Sequence, residues 1–439
     1  MSHPSDILEK IRQLYRTREQ RLLPVPWCED FSFHLNDMFT RLKIFGKEKS
    51  RGVLTDEITN MTAIFKAHAE CQSPRTVLIE GDPGMGKTTY CQKLAYDWAT
   101  KHNEWDPSFP EIELLLFLKC HEIKSNIWEA IDDQILPEEM DYRAKEFFFK
   151  FIRENPSKVL LVLDGLDEAD PSNLKMFFNL IEGRHLSGFY IVLTSRHEGG
   201  NKVRRCCDTL WEIVGFRKED AESFIRKYFK NINKELWAEK TIEIIWPRLY
   251  SARSTDLGEL AKNPLNTALL CVICEDFGGV FPTSRTECYI EIVNCVLRRY
   301  EYRHGLSIKN ENPLTVYKRD LLYLGQMALQ SLRKGEQFFE EHKFPEKLIA
   351  VSKFGFVSLQ AAGSKRKSRV RYAFLHKSFQ EFFSGLYLAW QIIDSNVDWD
   401  DVVTDQRYWN ELNQVRIFMV EFLALERGGF PETLAKGMA

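Results

Sequence analysis

Residues 76–89 read TVLIEGDPGMGKTT, an apolar run from Thr76 to Glu80 that passes straight into a glycine-rich turn. Gly81, four further residues and then Gly86-Lys87-Thr88 make the P-loop pattern, in the strand–loop–helix context that pattern requires. Gly81, Gly84 and Gly86 free the backbone to take positive φ and turn its N–H groups toward a phosphate chain, with Asp82, Pro83 and Met85 completing the loop. Lys87 supplies a point charge for β- and γ-phosphates, and the Thr88 hydroxyl suits a Mg²⁺ ligand. Thr89 follows in a helix whose positive dipole end favours the same anion. The stretch predicts a nucleotide-phosphate site; the bland alternative is a glycine-rich turn.

Two further strand ends extend the prediction. VLLVLDGLDEAD at 159–170 is a buried strand ending in Asp164, a carboxylate suited to Mg²⁺ beside the P-loop. Asp167 and Glu168 follow at the C-terminal edge of that strand, where open α/β sheets bind ligands. Either could orient or deprotonate a water attacking the γ-phosphate. IVLTSRH at 191–197 carries Arg196 to the same edge, and guanidinium binds phosphate oxygens bidentately.

Working outward, short β-rich runs at Thr76–Ile79, Glu113–Lys119, Lys158–Asp164, Tyr190–Thr194 and Leu210–Val214 alternate with helical stretches. Near-continuous apolar strands between helices predict a parallel sheet covered on both faces. Before them, Ile7, Leu8, Ile11, Leu14 and Tyr15 share a helical face, with Asp6 and Glu9 in capping-box spacing, in what reads as a leading arm. After about 216 the pattern turns helical. A β-like pair, Phe354–Gln360 and Arg369–Phe374, then flanks a basic segment before helix resumes, the outline of a winged helix.

Composition narrows the class. The 439 residues exceed one ordinary domain, and 60 basic against 63 acidic residues leave a net charge of −3. That balance argues against a nucleic-acid-coating protein. Five cations at Lys365–Arg371 read as a solvated hairpin tip, with nucleic-acid or acidic-membrane contact the lesser alternative. The N-terminus has no apolar signal core and no apolar run reaches membrane-spanning length, so a cytoplasmic location is expected. The ten scattered cysteines fit free, mostly buried thiols. Cys271, Cys274, Cys288 and Cys295 have a superficial zinc spacing, but the first two lie in an apolar helical run and read as core.

GDPGMGKTT, DGLDEAD, the Thr194-Ser195-Arg196 strand end, VGFRKEDAESFIRKYF at 214–229, KNPL at 262–265 and FLHKSFQEFFSGLYLA at 374–389 occur in that order. Together they resemble the NACHT module of animal NOD-like receptors, a family of signal-transduction ATPases with numerous domains, over roughly residues 45–425. The resemblance implies that residues 81–89 bind ATP or ADP with Mg²⁺ held by Thr88 and Asp164. It implies that Asp167 and Glu168 support hydrolysis and that Arg196 senses the γ-phosphate. Pro264 would pack on adenine, and His376 would reach the β-phosphate of ADP and hold the module closed. Read alone, Pro264 is a helix-start proline capped by Asn263, and His376 a core histidine. The loose stretch Arg51–Leu54 would line the adenine pocket.

The expected architecture is a P-loop α/β domain of the AAA+-like kind, a helical domain, a winged helix and the start of a second helical domain. Its boundaries are expected at 1–50 for the arm, 51–215, 216–285, 286–390 and 391–439. The expected function is an ADP-closed, ATP-opened switch that self-oligomerises, hydrolyses ATP slowly and serves innate-immune signalling, a role taken from the resemblance. Neither an effector domain nor a leucine-rich repeat is visible in the sequence. The alternatives are a continuously cycling AAA+-like remodelling ATPase and a short regulator that co-assembles with full-length relatives.

Overall fold

The computed structural model describes residues 4–23, 32–48, 53–58, 60–102, 104–246, 257–279, 281–282, 284–306, 311–334, 338–340, 351–364, 367–374 and 377–426. The described residues up to 234, with 261–267, form one compact unit, and the others from 235 onward form a second.

The first unit opens with α1 (Pro4–Arg18), the short pair β1 (Arg21–Leu22) and β2 (Phe33–His34), and α2 (Leu35–Met38). Then come β3 (Lys43–Lys47), β4 (Leu54–Glu57), β5 (Thr76–Glu80), α3 (Lys87–Thr100), β6 (Leu114–Lys119), α4 (Ile127–Ile135) and α5 (Tyr142–Glu154). The unit continues with β7 (Val159–Asp164), α6 (Leu174–Ile181), β8 (Tyr190–Ser195), α7 (His197–Val203), β9 (Thr209–Gly215) and α8 (Lys218–Asn231).

All five strands expected from the apolar runs form, in the order β9-β5-β8-β7-β6 and parallel throughout. Each residue of β5 and of β7 is buried, as a strand covered on both faces must be. The order reverses about β5, because the chain leaves it for β6 on the far side and returns through β7 and β8. The P-loop sits at that switch point, on the carboxyl edge of the sheet.

Two strands of this sheet were not foreseen. β3 pairs antiparallel with β9 and β4 with β3, extending the sheet to seven strands. Their sequences, KIFGK and LTDE, lack the apolar run that marks a buried strand, because they lie at the margin of the sheet.

The leading arm is anchored. α1 buries Ile7, Ile11 and Tyr15, a stripe at every fourth residue. The Tyr15 hydroxyl accepts from Phe117 N at 2.8 Å and donates to Leu115 O at 3.3 Å, both on β6, the outermost parallel strand. The expected capping box at Asp6 and Glu9 is corrected: α1 begins at Pro4, so Asp6 lies within the first turn, and Glu9 pairs with Arg16 at 2.8 Å.

The second unit contains α9 (Glu235–Ile245), α10 (Leu257–Leu260), α11 (Pro264–Asp276, whose first turn belongs to the first unit), α12 (Arg285–Arg303), α13 (Pro313–Val316) and α14 (Lys318–Leu332). After these come β10 (Phe338–Glu340), the hairpin β11 (Val357–Ser364) and β12 (Lys367–Phe374), then α15 (Lys377–Ile393), α16 (Trp399–Val403) and α17 (Asn413–Glu426). β10 adds a third strand to the expected hairpin, on the free side of β12. Tyr289, Phe379, Phe382 and Phe418 build an aromatic core between α12, α15 and α17. Gly325 lets α14 approach α15 so closely that a Cβ there would stand 2.4 Å from Phe383 O.

Cys271, Cys274 and Cys288 are buried, and burial pushes the Cys288 and Cys295 thiols up to about 12, so all four read as apolar packing residues. Among the described residues no helix is long and apolar enough to cross a membrane.

Candidate functional site

The P-loop wraps the head of α3. Gly84 and Gly86 take φ of +79° and +94°, values an L side chain rarely adopts. Lys87 Nζ turns back onto the loop, donating to Gly81 O at 2.5 Å and Asp82 O at 3.0 Å. Burial pushes its amine down, opposed mainly by the Asp167 carboxylate. The cation is therefore held where a phosphate would arrive, partnered by carbonyls that a stronger acceptor can displace.

Asp164 ends β7 and is buried. Thr194 Oγ1 donates to its Oδ1 at 2.6 Å and accepts from Gly165 N at 2.9 Å, so β8 fixes the carboxylate's orientation. Burial raises Asp164 above the ordinary carboxylate value, against hydrogen bonds from Thr194 and Thr88. Thr88 and Asp164 thus meet, and a desolvated carboxylate beside a hydroxyl suits Mg²⁺.

Asp167 and Arg196, expected to act separately, are bound to each other. Asp167 Oδ1 accepts from Arg196 N at 2.8 Å and Ser195 Oγ at 3.3 Å, and Oδ2 lies 3.2 Å from Arg196 Nε. Glu168 stands apart, more exposed, with Oε2 3.7 Å from His121 Nδ1.

Pro264 is the first residue of α11, and Asn263 Oδ1 accepts from Leu265 N at 2.9 Å, a helix cap. Asn263 also reaches the P-loop, donating from Nδ2 to Pro83 O at 3.0 Å, while Leu265 N donates to Gly84 O at 3.2 Å. A Cβ on Gly84 would stand 2.8 Å from Asn263 Oδ1, so the glycine is needed for contact as well as for φ. His376, Arg51 and Gly52 lie outside the described residues, as do Lys365 and Arg366 of the basic hairpin. Val53 and Leu54 are exposed.

Sequence reading missed a charged cluster beneath the loop. Glu80, the last residue of β5, is fully buried and is gripped by Arg204, whose Nε and Nη2 donate to Oε1 and Oε2 at 2.7 Å each. Lys47 Nζ lies 3.1 Å from Glu80 and 2.6 Å from Glu212, and His197 Nδ1 lies 3.5 Å from Glu80. Burial alone would raise Glu80, but hydrogen bonds from His197 and Arg204 and the charge of Lys47 bring it down to about 2. Glu80, His197 and Glu212 bring donor atoms within 4.8 Å of one another, as a metal site would. Lys47 and Arg204 already neutralise both glutamates, so the cluster is an ion-pair network. The available signal was Gly199-Gly200 inside a helix, explained by packing: a Cβ on Gly200 would stand 2.1 Å from Glu80 Oε1, and one on Gly199 2.8 Å from Asp167 Cβ.

Residues 75–232 match the family model of the NACHT domain. The NLR family CARD domain-containing protein 4 of Xenopus tropicalis is 24% identical over 389 residues, spanning 88% of this chain and 36% of that protein. Protein NLRC5 of Ictalurus punctatus is 24% identical over 388 residues, spanning 79% and 22%. The NACHT, LRR and PYD domains-containing protein 6 of Mus musculus is 25% identical over 400 residues, spanning 81% and 43%. The chain covers well under half the length of these relatives. Among solved structures, the RuvB Holliday junction branch migration motor of Thermotoga maritima aligns over 70% of this chain and 86% of its own, at 12% identity and a TM-score of 0.30, too distant to argue from. The chain carries a NACHT domain, set in a longer stretch that it shares with NLR family proteins.

Proposed function

We propose that this chain is an ATP/ADP-controlled signalling switch of the NOD-like receptor kind, acting in the cytoplasm and assembling with copies of itself or with longer relatives. The observation that carries the reading is the hydrogen-bonded docking of Asn263 and Leu265 onto Pro83 and Gly84. Asn263 caps α11 and Leu265 lies in its first turn, so the head of that helix is tied to the phosphate loop and would feel a change in what the loop holds.

Gly81 to Thr89 would cradle the phosphates with their N–H groups, and Lys87 would exchange its two carbonyl partners for phosphate oxygens. Bound Mg²⁺ would neutralise charge on the β- and γ-phosphates, with Thr88 and Asp164 to hold it. The Arg196 guanidinium would leave Asp167 for the γ-phosphate. Glu168, the more exposed acid, would orient the attacking water while Asp167 keeps the Arg196 backbone in place. By the family resemblance, Pro264 would contact adenine and His376 the β-phosphate. A ligand shifts such a switch only through differential affinity for its two states, so ADP must bind the closed form better than the open one, and ATP the reverse. Slow hydrolysis then resets the switch.

The deciding measurement is the nucleotide that co-purifies with the chain. ADP near unit occupancy is expected, lost in Lys87→Ala. Equal retention by wild type and Lys87→Ala would sink the phosphate-site assignment, and fast continuous turnover would favour a remodelling ATPase.

A further inference from the structure

Arg196 stands immediately before α7, and α7 is fastened to one buried carboxylate at both ends. His197, its first residue, places Nδ1 3.5 Å from Glu80 Oε2, and Arg204, just past its last, grips both oxygens of Glu80. Gly200, midway between, lets the helix rest directly on that carboxylate, and Gly199 lets it rest on Asp167. Lys47 from β3, itself paired with Glu212 of β9, also holds Glu80. We propose that α7 is a docked platform that sets Arg196 for the γ-phosphate, making Glu80, His197 and Arg204 positioning residues for telling a nucleoside triphosphate from a diphosphate. This rests on the phosphate-site reading given above.

The reasoning is geometric. Arg196 is bound to Asp167 by its backbone N as well as by its side chain. With the backbone anchored on α7 and Asp167, only the guanidinium has to swing when a γ-phosphate arrives. Recognition of this kind tolerates about 0.5 Å of misplacement before it fails. A diphosphate offers Arg196 no γ-group, and the loop that binds it, residues 81–89, is not part of α7. The ion pair between them among the described residues, His197 Nε2 to Asp82 Oδ1, is long at 3.8 Å. Loosening the platform should therefore weaken the triphosphate and spare the diphosphate.

The test compares the affinities of the purified chain for Mg²⁺-ADP and for Mg²⁺ with a non-hydrolysable ATP analogue, in Arg204→Met and in Gly200→Ala. Each variant is expected to bind the analogue about tenfold more weakly and ADP within about twofold of wild type, with Arg204→Lys recovering part of the loss. Equal weakening of both ligands, or no change in a folded variant, would overturn the platform. Hydrogen exchange on the wild type tests it even where a variant fails to fold. Amides of residues 197–204 should keep the same protection with either ligand, and deprotection on binding the analogue would overturn it. A wild type that binds neither ligand would instead sink the phosphate-site reading itself.

Discussion

Glu80 is a buried carboxylate immediately before the glycine-rich loop, and its surroundings decide whether it can stay charged. Because Arg204, His197 and Lys47 hold it down to about 2 from an ordinary 4.5, it stabilises the fold fully above 4.5. That stability is lost as pH falls through the interval toward 2, on the order of 3 kcal/mol in all. Urea midpoints measured between pH 7 and pH 3 should fall steeply below 4.5 in wild type and more gently in Glu80→Gln. Parallel profiles would show that Glu80 is not the group responsible. The placement of Lys87, Thr88, Asp164 and Arg196 at strand ends and a glycine-rich turn was legible in the sequence, because strand ends and glycine spacing are local signals. The pairing of Asp167 with Arg196 and the whole Glu80 cluster were not, because they join residues from β3, β5, β9, the turn after β7 and the segment 196–204, whose adjacency only the strand order creates. The exception was visible: two adjacent interior glycines cost a helix about 1 kcal/mol each, a cost that close packing explains.

At the scale of elements, the five parallel strands were legible because each is an uninterrupted apolar run. β3, β4 and the tethering of α1 were not, since marginal strands need no such run and an amphipathic helix does not announce its partner. The Tyr15 hydroxyl supplies that partner, satisfying one donor and one acceptor of β6 at once. Tyr15→Phe leaves both without it in a buried setting, so a loss of about 1–3 kcal/mol is expected in chemical denaturation. A midpoint unchanged from wild type would mean that water replaces the hydroxyl and that α1 is held by its apolar stripe and by Arg16 and Arg18, which donate to Ala99 O and Gln134 O.

At the scale of the whole molecule, the chain folds as two compact units. In the second unit, Gly325→Ala drives a methyl to within 2.4 Å of Phe383 O, backbone that cannot rotate away. It should cost about 1–3 kcal/mol and lower the thermal midpoint, and a midpoint equal to that of wild type would show that α14 and α15 can part without loss. His376→Leu examines the proposed latch: oligomers with ATP should increase on size exclusion, and profiles matching wild type would refute it. The tether of α1 bears on handling the protein as well. The strand it covers, LLLFLK at 114–119, is six residues of nearly pure hydrocarbon, with the outer backbone groups Leu115 O and Phe117 N taken up by Tyr15. At the opposite margin β4 is short, exposed and acidic, a poor template for further strands. A chain shortened to begin after Arg18 would uncover the greasy margin alone, and it should clump into β-rich aggregates while the full chain stays dispersed.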